Sequence, residues 1–438
     1  MRKILFTIIL LLFSVNSYAE NTSKEDDYIY PVNSMYKQAV QNTIQAAIQE
    51  QGEVHTALNE ILASRWADNQ LVFDAINNNK QAINLFKQAA LQESNQAMFT
   101  QRPKEITFDM PMSSCSKEML LFKLVLAEGL MFESKEEYPK AIENYIAAIR
   151  FIMHCSREEF KTLVSQLMER AYFNKAYNCL CNTISNDKFN NKYHQELLKY
   201  LNLIYQEQDF FESAFKTELL VSKSLVRMIG KEHSKQAGVN RINKIFFKKK
   251  ADNFIKSVYR EYDLLTDDYF KEAIQCAKKN ELTLLENRKL QEEEFRKPFN
   301  ILKLGLKKFI VERKSIMRIK AEIIADILAA IAQPDISNII TYYHIFYNKL
   351  NLCRTVLAVK LYKSAKGSLP DSLALLVPEY LEEIPMDTYN DFKPLSYIKT
   401  ENTAKIYSIG PDRKDDSGAI EFKEEDLSKG GDILISVE

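Results

Sequence analysis

The residues able to carry chemistry in this 438-residue chain are five histidines, six cysteines and a large number of carboxylates. His55, His154, His194, His233 and His344 are scattered, and none belongs to a His-Glu-x-x-His pair that would aim two imidazoles at one zinc ion. No Gly-x-Ser-x-Gly turn lifts a serine nucleophile, and glycine is too scarce to build a phosphate-cradling loop. His344 follows Tyr342 and Tyr343 in a helical pattern, where a single imidazole is more often a satisfied or surface side chain than a catalyst. Glu128 and Glu143 read as solvated charges. Cys115, Cys155, Cys179, Cys181, Cys276 and Cys353 sit mostly at apolar positions of helical patterns. That favours buried thiols over disulfides, although six cysteines admit fifteen pairings. Cys179 and Cys181 are two apart, so on a helix they do not face each other and make a poor metal clip.

The elements that must position these groups are helices. Ten Gly and eleven Pro leave too few turns for a propeller or sandwich. Lys+Arg and Asp+Glu both number 59, without the basic excess of a nucleic-acid binder. At 46% apolar the chain has enough hydrophobic residues for a core and is unlike a disordered one. Arg2 and Lys3, an apolar run from Ile4 to Phe13 and Ser17-Tyr18-Ala19 form a charged, apolar, small-residue order that reads as a signal peptide. The run is too short to span a bilayer as a helix. The expectation is an exported chain starting at Glu20, periplasmic or extracellular, with no transmembrane span after cleavage.

Three-and-four spacing predicts helices over residues 35–66, with a break at Gly52, and over 71–91. Residues 92–114 read as an extended connector. Next come 117–132 and 138–154, where Gly129, Phe132, Tyr138, Ala141, Tyr145 and Ala148 fill the small and aromatic positions of a tetratricopeptide-like hairpin. No second copy appears at the repeat spacing. Gly129, Ala141 and Tyr145 are thus packing residues of one repeat-like hairpin rather than a ligand site. Helical patterns continue over 157–185, 192–205 and 208–229, with a loop expected at 230–238. The basic stretch Arg241–Arg260 reads as a solvated helix face answered by acidic neighbours. Helices over 301–331 and 336–366 follow, the second with a stripe of Ile336, Ile340, Tyr343, Tyr347, Leu350, Cys353, Leu357 and Leu361.

At Gly367 the composition changes. Five of the ten Gly and five of the eleven Pro fall after Lys366. Leu395–Ile398, Ala404–Ile409 and Asp432–Val437 read as short strands, the first two joined by a turn at Glu401-Asn402-Thr403. The fold class is therefore mainly α: a multi-helix, repeat-like domain (20–335) after the signal peptide (1–19), then a long helix with a small α+β module holding a short antiparallel sheet (336–438, sheet part 367–438).

Taken in order, Arg354, Leu357–Tyr362, Gly367–Pro370, Leu376–Leu381, Ile384–Asp387, Pro394–Tyr397, Ile406–Asp412, Asp415-Asp416 and Gly431–Ile433 resemble one bacterial C-terminal module. It recurs in exported, uncharacterised proteins common in planctomycetes and related phyla, and is similar to the C-terminal domain of the major pseudopilin of type II secretion. The resemblance implies architecture rather than activity. It also implies calcium in the loop after the second strand, with Asp412, Asp415, Asp416 and Asp432 as carboxylate ligands and Ser408 and Gly410 as carbonyl donors. The expectation for function is a non-enzymatic interaction or structural component of the cell envelope with a protein partner there and no nucleic acid. The alternatives are a hydrolase acting on an envelope polymer, and an accessory component docking on a type II secretion or pilus-like assembly.

Overall fold

The computed structural model describes residues 28–29, 35–43, 48–63, 66–92, 102–103, 115–156, 163–185, 190–209, 211–236, 244–281, 315–332, 337–422 and 430–437. The expected signal peptide and most of the 92–114 connector lie outside these residues. The protein is mostly helical with a small C-terminal module of two short antiparallel sheets. The helices are α1 (Met35–Gln41), α2 (Ile48–Ala63), α3 (Gln70–Asn78), α4 (Lys80–Leu91), α5 (Cys115–Ser134), α6 (Tyr138–Ser156), α7 (Leu163–Ser185), α8 (Asn191–Gln206), α9 (Glu212–Gln236), α10 (Lys244–Lys279), α11 (Ile316–Ala332) and α12 (Ser337–Lys366). Among the described residues no helix is long and apolar enough to cross a membrane.

Three boundaries differ from the sequence reading, each for a local reason. The helix expected over 71–91 is two helices, because Asn79 ends α3 and begins α4. Its side-chain amide and backbone N–H both donate to the Ala75 carbonyl, so the asparagine satisfies a helix end that an apolar residue would leave bare. Gly52 lies inside α2 and breaks nothing. Gly230 lies inside α9, and the polar residues after it continue the helix to Gln236. A glycine costs an exposed helix only about 1 kcal/mol, less than neighbouring turns contribute.

One hydrophobic cluster runs from Tyr36 on α1 to Val437 at the end of the chain. A second joins Phe211 and Phe215, Phe270 and Ala273, and Tyr343 and Tyr347. A third packs Val226 and Tyr262 against Ala321, Ala325 and Leu328. Ion pairs Lys223–Asp267 (2.6 Å) and Arg227–Asp263 (2.9 Å) run between α9 and α10. α12 enters both larger clusters, and every residue from Tyr343 to Leu361 is buried. The apolar stripe on α12 is one face of a helix enclosed all round, as a central helix must be.

The module folds back on α12. Outside it β1 (Tyr28–Ile29) pairs with β2 (Arg102–Pro103); within it β3 (Met386–Asp387) pairs with β4 (Lys393–Pro394), and β5 (Ser396–Lys399), β6 (Ala404–Ser408) and β7 (Ile433–Val437) form an antiparallel sheet in the order β5-β6-β7. Tyr397 lies opposite Ile406, which lies opposite Ile435. Ala404, Ile406, Ile433, Ile435 and Val437 point into the main core.

Candidate functional site

Two places gather polar groups where elements meet: the seat of the C-terminal module on α12, and the loop between β6 and β7. In the seat, Asp387 at the end of β3 is buried. Its Oδ1 accepts from Ser408 Oγ at 2.7 Å and from the Tyr389 N–H at 2.9 Å, and its Oδ2 accepts from the Ile409 N–H at 2.9 Å. Burial pushes its carboxyl above the usual range, against the pull of these donors. One residue on, Thr388 is clasped by Asn348. Asn348 Nδ2 donates to Thr388 Oγ1 at 2.9 Å, and the Thr388 N–H donates to Asn348 Oδ1 at 3.1 Å. Asn280, just past α10, donates to the Thr388 carbonyl at 3.0 Å. The Asn351 amide reaches the Met386 carbonyl at 3.1 Å. Tyr389 Oη donates to the Thr341 carbonyl at 3.1 Å.

Arg354 is 2% exposed and has no carboxylate in direct contact among its described partners. Its Nε donates to Asn202 Oδ1 at 2.7 Å and Nη1 to Asn351 Oδ1 at 2.9 Å. The guanidinium lies 3.7 Å from the centre of the Tyr205 ring, a stacking that suits a weakly hydrated planar cation. Tyr205 Oη in turn donates to Glu383 at 2.7 Å and accepts from Tyr347 Oη at 2.8 Å. Burial lowers the Arg354 pKa, and the nearby Tyr205, Tyr347 and Glu383 raise it again. His344 is fully enclosed beside Tyr389, and burial pushes it down to about 3, so it stays neutral. These groups hold α8, α10, α12 and the module together.

The second place is the β6–β7 loop. Gly410 has φ of 71°, and a side chain there would strike the Gly431 carbonyl, so the two ends of the loop approach closely only because Gly410 lacks one. Asp412 accepts from the N–H groups of Lys414 and Gly431, each at 3.3 Å. Asp415 Oδ1 accepts from the Ser417 N–H at 2.9 Å and from Tyr407 Oη at 3.1 Å. Asp432 is 0% exposed. Its Oδ2 accepts from the Gly418 N–H at 2.6 Å, and its Oδ1 has no hydrogen-bond partner. Burial raises its carboxyl, and the charges of Asp415 and Asp416 push the same way. Among the described residues no three His, Cys, Asp or Glu side chains converge closely enough to hold a metal. The four aspartates thus share a loop without forming a carboxylate cage. What they offer a hard cation is the bare oxygen of Asp432.

Gly129, Ala141 and Tyr145 meet where α5 packs on α6. Tyr145 is buried with its hydroxyl on Glu133 at 2.8 Å, and Ala141 is 0% exposed. Glu143 is exposed, but Glu128 is not. It is buried and paired with the exposed Lys80, with Lys87 Nζ at 3.5 Å and with Asn144 Nδ2 at 3.0 Å. The reading of Glu128 as a solvated charge is therefore corrected. Its partners come from α4 and α6, and nothing in the spacing within α5 announces them.

The polar residues Asn348, Asn351 and Asn202 were also missed. On a helix such residues ordinarily face water, and their partners in the module lie far along the chain. No family model, curated protein or solved structure matches this chain.

Proposed function

We propose that this chain is an exported, non-enzymatic component of the bacterial cell envelope. Its helical body and pseudopilin-like C-terminal module would act as one rigid piece that presents a surface to a protein partner. The observation that carries this reading is the seat at Asp387, Thr388 and Arg354. Its buried polar groups are spent inside the module (Asp387 on Ser408), on tying the module to α12 (Asn348 on Thr388) and on tying α12 to α8 (Arg354 on Asn202), rather than left open toward a substrate. A helix followed by a three-stranded antiparallel sheet is the order the pseudopilin resemblance calls for. The N-terminal pattern supports export. N-terminal sequencing of the chain recovered from the cell envelope is expected to begin at Glu20, and cross-linking there to capture a specific protein. A cytosolic chain that still begins at Met1 would sink the reading.

A second reading rests on Asp432 Oδ1. It is that the β6–β7 loop takes one calcium ion, with Asp432 as its carboxylate ligand and Asp415 and Asp416 adding negative charge. Calcium prefers six to eight oxygens, so backbone carbonyls and water would complete the set. Calorimetric titration is expected to show binding of one ion, with a higher Tm that chelator reverses. Asp432→Asn is expected to abolish the heat signal. No heat from the native chain and a melting curve indifferent to chelator would end this reading.

A further inference from the structure

The contacts between α7 and α12 form a ladder. The Arg170 guanidinium lies 4.8 Å from the Tyr343 ring centre and 5.2 Å from that of Phe346. Phe173 meets Phe346 with ring centres 4.9 Å apart. Lys349 Nζ is 3.4 Å from Asn174 Oδ1 and 4.8 Å from the Tyr177 ring centre. Residue numbers rise together on the two helices, so they run in the same direction with a fixed register. One helical turn beyond Tyr177 is Cys181, and one turn beyond Lys349 is Cys353. The next rung is therefore a pair of thiols, both free in the structure, and Cys181 adds to burial in raising the Cys353 thiol.

We propose that Cys181 and Cys353 form a disulfide that staples α7 to α12. A disulfide asks for Cβ atoms about 4 Å apart, a separation that the backbone register of α7 and α12 sets, and rotation about χ1 then turns the two sulfurs toward each other. Cys181 is half-buried and Cys353 fully enclosed, so Cys181 is the sulfur that meets the oxidant. The oxidant is another disulfide, of the glutathione or protein class. The Cys181 thiolate attacks one of its sulfurs and expels one thiol. Cys353 then gives up its proton, attacks the Cys181 sulfur and expels the second thiol. Two electrons pass to the oxidant, and the protein becomes lighter by two hydrogens.

The other cysteines whose side chains are described have different surroundings, Cys155 lying on α6 against the main cluster. Cys179 points elsewhere on α7 with its thiol toward the Lys175 carbonyl, and Cys276 is in the second cluster on α10. The bond would close a loop of more than a hundred residues, the class in which a cross-link most restricts the unfolded chain. Its formation in the cell rests on the proposed export, because a cytosolic chain would be kept reduced.

The test is made on the purified full-length chain, equilibrated in excess oxidised glutathione, alkylated while denatured and digested without reduction. Mass spectrometry is expected to find the Cys181 and Cys353 peptides joined, with Cys179 and Cys276 alkylated. The oxidised chain is expected to melt higher than the reduced one, and Cys181→Ser to lose that difference while still folding. Recovery of Cys181 and Cys353 both alkylated, or either joined to another cysteine, overturns the proposal. The same mapping on chain taken from cells separates the two readings. A bond that forms in glutathione but is missing there counts against export and leaves the pair standing.

Discussion

Asp387→Ala is expected to lower the unfolding free energy by about 3–5 kcal/mol, because several buried donors lose their acceptor together. The Ser408 hydroxyl and the N–H groups of Tyr389 and Ile409 all end on this one carboxylate. Each is enclosed, so water does not take over. Ser408→Ala removes a single donor and leaves the other two paired, at a cost of about 1 kcal/mol. Asp391→Ala, four residues on and exposed, puts an alanine at a φ of 50° and gives up a surface pair with Arg413, and is expected to cost only about 1 kcal/mol. Chemical denaturation followed by circular dichroism reads all three. If Asp387→Ala and Asp391→Ala gave the same midpoint, Asp387 would not be the pin of the module.

Asp387 pins the β3 turn to β6 inside the module, and the same turn is tied to the helices through Thr388, Met386 and Tyr389. Asn348, Asn351 and Arg354 lie on α12, and their partners lie on the β3 turn and on α8. The module therefore cannot detach without leaving several buried amides and carbonyls unpaired, which costs more than parting two apolar faces of similar area. Loss of Asp387 is expected to loosen α12 as well as the sheet, so unfolding would remain a single transition.

The helices were legible because their apolar residues recur at helical spacing and their glycines are few. The sheet was legible because composition changes at Gly367 and three short runs alternate after it. The module's seat was not. Arg354 and Asp387 were visible as residues of a pattern, but their chemistry depends on a chain reversal that sets α12 against β3. Asn348 carries no periodic signal that separates it from a solvated helix position. Glu128 is hidden in the same way, since its cations belong to α4. The six cysteines admit fifteen pairings, and spacing within one helix does not show that Cys181 and Cys353 occupy successive rungs of the α7–α12 contact. Local spacing reports which face of a helix is apolar. It does not report which polar residue will be enclosed by an element still to come.

The hairpin of α5 and α6 is the exception, where spacing alone pointed to a close approach, and it carries the second large effect. A Cβ added at Gly129 would lie 2.6 Å from Tyr145 Cε1 and 3.1 Å from Cδ1. The ring has little room to yield. Tyr145 is 1% exposed, and its hydroxyl is held by Glu133. Against this, alanine favours a helix over glycine by about 1 kcal/mol. Overpacking of this kind costs about 1–3 kcal/mol, so Gly129→Ala is expected to be mildly destabilising overall. Gly129→Val adds two further methyl groups and a β-branch, and is expected to cost about 3 kcal/mol or more. A double-mutant cycle isolates the cause. Tyr145→Ala alone opens a cavity and is destabilising, yet in its presence the valine has space, so the pair should cost less than the two single changes added. Strict additivity would mean that Gly129 matters for helix backbone alone and that the ring does not press on it.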